Sequence, residues 1–146
     1  MKNLFVSLLI LLASFSVKAQ NSNLPYSEKD YLVTMNKVVS TLNVIYNAND
    51  GDTTSTQRLM DLSCNEVYVL SWGFMDQDTT ATYAIKEWFI PTIKNLSNYL
   101  PTKVVVVEQK PDKWGVWFSV KATNVYGDTY IDFGINRENK ITSIVL

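Results

Sequence analysis

Histidine is absent from this sequence of 146 residues. It is the commonest zinc ligand, and the side chain that most easily takes up and releases a proton near neutral pH. Its absence excludes the Ser/His/Asp and Cys/His nucleophile systems, on which many hydrolases depend. Any catalysis would have to use carboxylates, tyrosines or lysines. We predict no cofactor.

Cysteine is nearly absent too, since Cys64 is the only one. A disulfide within the chain is excluded, so packing must supply the stability. A single thiol can be a nucleophile, half of an intermolecular bridge, or a small buried apolar residue. With no histidine to act as its base, the sequence favours the buried alternative for Cys64.

An excess of basic residues is also missing, because the formal net charge is −1. Such a chain does not attract nucleic acid or anionic lipid by electrostatics, and we predict neither as a partner. Two acidic segments, 50–52 and 76–78, resemble fragments of calcium loops. They lack the spacing and the closing bidentate glutamate of that motif, so no metal site is expected.

The first nineteen residues have the pattern of a bacterial signal peptide. Lys2 precedes an apolar run that ends near Ala13, shorter than the roughly 20 residues a spanning helix needs. Val17 and Ala19 place small residues three and one positions before a cut. We predict cleavage between Ala19 and Gln20 and export to the periplasm or medium, with no membrane association afterwards. A retained N-terminal anchor is the alternative.

Beyond a flexible arm at 20–27, one domain is predicted over 28–146, because the chain is too short for two domains of ordinary size. Apolar residues at helical spacing and capping residues indicate helices in its first half. A Val- and Tyr-rich segment indicates a strand. The predicted elements are a helix over Ser27–Asn47, a helix from Thr54, a strand over Asn65–Trp72, a polar loop over Asp76–Thr80, and a helix with Ile85, Leu96 and Leu100 in its apolar stripe that is kinked at Pro91 and ends before Pro101.

From Lys103 onward the apolar residues alternate with polar ones, which is typical of strands. Short turn segments separate four such stretches, so an antiparallel meander is expected. The predicted strands are Val104–Lys110, Trp114–Tyr126, Asp128–Asn136 and Lys140–Leu146. Alternation places Val116, Phe118, Val120, Ala122, Ile131, Phe133 and Ile135 on a face that meets the helices, and Trp117, Ser119, Lys121, Thr123, Tyr130 and Asp132 on the other.

The order helix, helix, strand, helix and then a curling meander resembles the nuclear transport factor 2 (NTF2)-like superfamily, which includes SnoaL-like cyclases and ketosteroid isomerases. The residues that carry the resemblance are the helix end at 47–50, Leu59-Met60, the helix segment 85–89, and the segments 127–130 and 140–141. The resemblance implies an α+β fold. Three N-terminal helices would pack on a strongly curved antiparallel sheet, as in a cone-shaped, cystatin-like roll. The open end of this cone often holds a ligand, and the outer sheet face often forms a dimer.

Members that resemble ketosteroid isomerase use a tyrosine late in the first helix, an aspartate base near the end of the first strand, and a second acid in the meander. The corresponding positions here are Leu42 or Val44 for the tyrosine and Leu70 for the base. Asp132 lies in the meander, but alternation places it on the outer face. The resemblance therefore implies no catalytic residue in this chain.

Three kinds of function remain open. The first is a non-catalytic domain that binds a small apolar or amphipathic molecule in the cone. The second is an interaction module, homodimeric or paired with another exported protein, that uses the mixed outer face. The third, an isomerase or cyclase, ranks last because it lacks the catalytic set.

Candidate residues follow from the first two functions. The expected pocket residues are Trp72, Trp88, Phe118 and Phe133, and the expected interface residues are Trp117, Lys121, Tyr130 and Asp132. Packing in the core or on the surface is the competing interpretation for the tryptophans.

Overall fold

The computed structural model describes residues 28–48, 53–73 and 75–146. The predicted signal peptide and arm lie outside these residues. Three helices precede most of the sheet, and the third is π-helical over Thr82–Phe89 and α-helical over Ile90–Leu96. The elements in chain order are α1 (Glu28–Asn47), α2 (Thr53–Asp61), β1 (Ser63–Ser71), β2 (Met75–Thr80), α3 (Thr82–Leu96), β3 (Lys103–Asp112), β4 (Gly115–Asn124), β5 (Gly127–Asn136) and β6 (Ile141–Val145).

The six strands form one curved, unclosed sheet in the order β2-β1-β6-β5-β4-β3. The meander predicted for the C-terminal strands is confirmed, since β3, β4, β5 and β6 pair in sequence, each antiparallel to the next. The pair β1 and β6 is parallel, so the sheet is mixed rather than wholly antiparallel. Backbone bonds hold both ends of β6 to β1. The N–H of Ile141 donates to Leu62 O at 2.8 Å, and that of Leu146 to Leu70 O at 2.9 Å.

The prediction of a polar loop over Asp76–Thr80 is wrong, because these residues belong to strand β2. The strand pairs with β1 from Glu66 opposite Thr80 to Ser71 opposite Met75. It is an edge strand with mostly exposed side chains, so it needs no apolar face and gives no alternating signal.

Helix α3 differs in two ways from the helix expected around Pro91. Upstream of the proline the turns are π-helical, since the Ile90 N–H donates to Ile85 O, five residues earlier. The irregularity of the helix near Pro91 is therefore a set of widened turns. The helix also ends at Leu96, which is 51% exposed and does not continue the apolar stripe. Asn98 and Tyr99 follow with left-handed φ angles of 51° and 57°, which turn the chain toward β3.

The core lies between the helices and the inner face of the sheet. The alternation predicted for β4 and β5 is confirmed, since the residues assigned to the inner face are buried. Phe89 of α3 meets Phe133 of β5 edge to face, with ring centroids 5.8 Å apart. Among the described residues, no helix is long and apolar enough to cross a membrane.

Candidate functional site

Three of the four expected pocket residues lie in the core or against it. Phe118 and Phe133 are directly opposite each other on β4 and β5, and both are fully buried. Trp88 is half-buried against the core, and its ring lies 6.3 Å from that of Phe89. Trp72 lies apart from them. It follows the end of β1 and is 83% exposed, so it does not pack in the core with the other three.

Tyr46, near the end of α1, is a polar residue of the core that the sequence analysis missed. The residue is 3% exposed, and its hydroxyl has no hydrogen-bond partner among the described residues. Burial raises the pKa of Tyr46 far above its usual value, so the group stays protonated and can donate. The available signal was its position one helical turn after the buried Leu42. Val44, by contrast, is exposed.

No buried carboxylate accompanies this hydroxyl in the described part of the chain. The buried polar residues there are Thr34, Thr41, Ser55, Ser63, Lys94, Ser97, Thr102 and Ser143. The Lys94 amine donates to Ala48 O at 2.8 Å, which ties α3 to the carbonyl end of α1. No group of three or more acidic or cysteine side chains that could hold a metal is found over the same ranges. The interior can therefore offer a hydrogen bond from Tyr46 but no buried carboxylate base.

The four expected interface residues all lie on the outer face of the sheet, turned away from the helices. Lys121 is directly opposite Tyr130, while Trp117 and Asp132 are opposite Gly134 and Ser119. Tyr130 is 57% exposed, and the other three are partly exposed. The structure thus gathers aromatic and charged side chains on one accessible surface.

An ion pair lies at the end of this surface. The Lys121 Nζ is 3.2 Å from Asp128 Oδ2, and Thr123 Oγ1 donates to Asp128 Oδ1 at 2.6 Å. The hydrogen bond from Thr123, and then the bond and charge of Lys121, lower the pKa of Asp128. Asp128 is therefore a fixed negative group beside Lys121.

A cleft of about 450 Å³ opens on the outer face, and we call it the outer cleft. Its lining includes the aromatic residues Tyr68, Trp114 and Trp117, with Gly134 and Ser143 between them. A Cβ on Gly134 would lie 2.1 Å from Ser143 Oγ. Because glycine has no Cβ, no side chain projects from this position into the cleft. Alternation along β1 could have placed Tyr68 on this face. Tyr68 lies opposite Ser143 because β1 pairs with β6 in parallel, and no local sequence pattern predicts that pairing.

No protein-family model matches this chain, and no curated protein does either. Solved structures resemble it in fold at low identity. A SnoaL-like family protein from Agrobacterium tumefaciens is 11% identical and superposes with a TM-score of 0.50 over 80% of this chain and 95% of its own. A de novo designed NTF2-fold protein is 12% identical, with a TM-score of 0.50 over 75% and 78% of the two chains.

A second designed protein, described by its curved β-sheet, is 12% identical and reaches a TM-score of 0.51 over 82% of this chain and 85% of its own. These likenesses concern the fold alone, because every identity is low. The α+β architecture expected from the resemblance is confirmed, and the chain has the NTF2-like, SnoaL-like fold.

Proposed function

We propose that this NTF2-like domain binds a small amphipathic molecule between its helices and the inner face of its sheet. The observation that carries the proposal is the buried Tyr46 hydroxyl without a partner among the described residues. A buried polar group left unpaired costs about 1–3 kcal/mol. A bound molecule with one hydrogen-bond acceptor would remove this cost, and the surrounding apolar side chains would contact the rest of it.

The proposed activity is binding without catalysis. Enolisation of a ketone needs a base within hydrogen-bond reach of the proton that it removes. No Asp or Glu of the described residues is buried beside the core, and Asp132 lies on the outer face. Isomerase activity on enolisable ketones that disappears in Asp132→Asn would overturn this part of the proposal.

Native mass spectrometry of the mature protein, purified from the periplasm of the cells that make it, tests the binding function. We expect an added mass that survives gentle ionisation and leaves on dissociation. The Tyr46→Phe variant should lose this mass, because it cannot donate the hydrogen bond. Tyr130→Phe is the matched control, since that tyrosine is exposed on the outer face. A wild-type protein without any added mass would contradict the proposal.

A second candidate function is assembly through the outer face. The outer cleft and the exposed rings of Trp114 and Tyr130 favour it, because aromatic residues among charges are typical of protein interfaces. The partner would be a second copy of this chain or another exported protein. Trp117→Arg should abolish such assembly and leave binding in the interior unchanged.

Both functions are proposed for an exported protein. The basis is the N-terminal pattern, with small residues before Gln20. The intact mass of the protein recovered from the periplasm should correspond to a chain that begins at Gln20. A mass that still includes residues 1–19 would contradict cleavage.

A further inference from the structure

Aromatic residues border the outer cleft, and small residues lie between them. Trp117 of β4 and Tyr68 of β1 stand on either side of Gly134 and Ser143, which are opposite each other on β5 and β6. Trp114, in the turn before β4, is the third aromatic residue of the lining. The centre of the cleft is therefore free of bulky side chains, and aromatic rings surround it.

Hydrogen bonds fix the surroundings of two of these rings. The Tyr68 hydroxyl donates to Asp76 Oδ1 at 2.8 Å. The turn that carries Trp114 is tied to the turn between β5 and β6, because Arg137 Nη2 donates to Lys113 O at 2.7 Å. Trp114 is nevertheless 71% exposed. An exposed indole on a fixed turn offers a large contact surface to a ligand at little cost in ordering.

One of the rings already has a cation beside it. The Lys113 Nζ lies 5.1 Å from the centroid of the Trp114 ring. This is within the distance of about 6 Å at which an ammonium group is attracted to an aromatic face. The position of the Lys113 amine thus shows that an ammonium group fits against this side of the cleft.

The fixed charges at the cleft favour a positively charged ligand. Asp112 belongs to the lining, which includes no lysine or arginine of the described residues. Lys110 is opposite Trp117, but its Nζ is paired with Glu108 Oε1 at 2.9 Å. The charged residues that border the lining are the acidic Glu66, Asp76, Asp78, Glu108, Asp132 and Glu138 and the basic Lys110, Lys113 and Arg137. Because acidic residues exceed basic ones, an anion is repelled and a cation is attracted.

We infer that the outer cleft binds a small organic cation with a quaternary ammonium group, held by the aromatic rings and by Asp112. The charge of such a group is spread over its methyl groups, which can contact aromatic faces directly. A primary ammonium is strongly hydrated and loses more on entering the cleft. The cleft lies on the opposite face of the sheet from Tyr46. The inference therefore goes beyond the binding proposed for the interior and does not depend on it.

NMR titration with choline tests the inference. Choline should cause saturable shifts of the indole N–H signals of Trp114 and Trp117. The control compound is 3,3-dimethyl-1-butanol, which has the shape of choline without its charge. It should bind roughly tenfold more weakly or worse, because it lacks the attraction of a cation to the rings and to the carboxylate. Equal affinities for the two compounds, or no saturable shift with choline, would overturn the inference.

Substitutions in the cleft test its named residues. Asp112→Asn and Tyr68→Leu should each weaken choline binding roughly tenfold. The new amide at 112 keeps an oxygen for the Lys113 N–H, which Asp112 Oδ1 accepts in the wild type. Glu87→Gln, at an exposed site on α3, and Tyr126→Leu, beyond the other end of β4, are the matched controls and should bind choline as the wild type does. Cleft variants that bind as tightly as these controls would overturn the inference.

Lys113→Gln tests whether the ligand takes the place of the lysine amine at the Trp114 ring. The substitution removes both a competing ammonium group and a charge that repels the ligand. Choline binding should therefore become severalfold tighter. Unchanged or weaker binding would place the cation away from Trp114 and overturn the inference as stated.

A quaternary ammonium group occurs in free choline and in the headgroup of phosphatidylcholine, and vesicle sedimentation distinguishes the two sources. Protein that sediments with phosphatidylcholine vesicles, but not with phosphatidylglycerol vesicles, and that free choline releases, binds the headgroup. Protein that binds choline but stays in the supernatant binds the free cation. Either result supports the inference, because the same group enters the cleft.

Discussion

Asn47 of α1 binds both backbone groups of Thr102, just before β3. Its Nδ2 donates to Thr102 O at 2.8 Å, and its Oδ1 accepts from the Thr102 N–H at 3.0 Å. One turn earlier, Asn43 makes the same two bonds to Val104, at 3.0 and 2.9 Å. Four helical residues rise about 6 Å and two residues of extended chain about 6.6 Å, so the two asparagines match Thr102 and Val104, on either side of the first residue of β3. The helix thus pairs with the edge of the sheet as a further strand would.

Replacing either asparagine by alanine should destabilise the fold. Asn43→Ala and Asn47→Ala each leave one N–H and one C=O of the β3 segment without their partner, which costs about 1–3 kcal/mol. Urea unfolding followed by fluorescence measures the difference in the free energy of unfolding. Asn36→Ala on the exposed side of the same helix is the control. Equal stability of all three variants would show that the bonds contribute nothing net.

The helical and strand periodicities of the sequence predicted those elements that bury one of their faces in the core. The end of α1 at Asn47 and the four C-terminal strands were predicted because their patterns are local. Strand β2 was missed since an exposed edge strand needs no apolar face. The parallel pairing of β1 with β6 joins two segments that are far apart in the sequence, so no short stretch of sequence predicts it.

The candidate site was predicted less completely than the fold. Alternation along β4 and β5 correctly placed Trp117, Lys121, Tyr130 and Asp132 on the outer face. Whether a buried side chain finds a partner depends on packing in three dimensions. The lone hydroxyl of Tyr46 is therefore visible only in the structure.

Removing that hydroxyl should change stability in a direction that reports on binding. In ligand-free protein, Tyr46→Phe removes an unpaired buried group and should leave the free energy of unfolding unchanged or raise it by about 1 kcal/mol. In protein that retains its ligand, the same change should lower stability, because a hydrogen bond is lost and binding stabilises the folded state. Thermal unfolding before and after removal of the ligand gives both values. A loss of stability in the ligand-free protein would mean that the hydroxyl is already satisfied.

Gly115 should not tolerate a side chain. A Cβ there would lie 1.9 Å from the backbone O of Ile135, and this contact can be relieved only by separating β4 from β5. Gly115→Ala should therefore cost about 1–3 kcal/mol or more, as overpacking does. Gly134→Ala is the matched control, because its nearest contact is the Ser143 hydroxyl, which can rotate away. Similar melting temperatures for the two variants would contradict this reading of the β4–β5 contact.

The Cys64 thiol should react slowly with alkylating reagents at neutral pH. Cys64 is half-buried rather than buried as expected, and Asn136 Nδ2 donates to its sulfur at 3.4 Å. Burial, followed by the charge of Glu138, raises the pKa of this thiol and so lowers its reactive thiolate fraction. Glu138→Gln should accelerate alkylation by iodoacetamide, because it removes the second of these causes. An unchanged rate would show that Glu138 does not act on the thiol.

Asp128 should titrate below the ordinary aspartate pKa of about 4, and both of its partners should contribute to the shift. A lowered pKa in the folded state means that Asp128 stabilises the fold above its unfolded pKa. This contribution is lost as the pH falls through the folded value. Because the hydrogen bond from Thr123 and the bond and charge of Lys121 all lower this pKa, Thr123→Val and Lys121→Met should each raise it. NMR titration of the Asp128 carboxyl carbon in the three proteins measures both shifts. An unchanged pKa in either variant would show that the partner removed there does not help to keep this carboxylate ionised on the outer face.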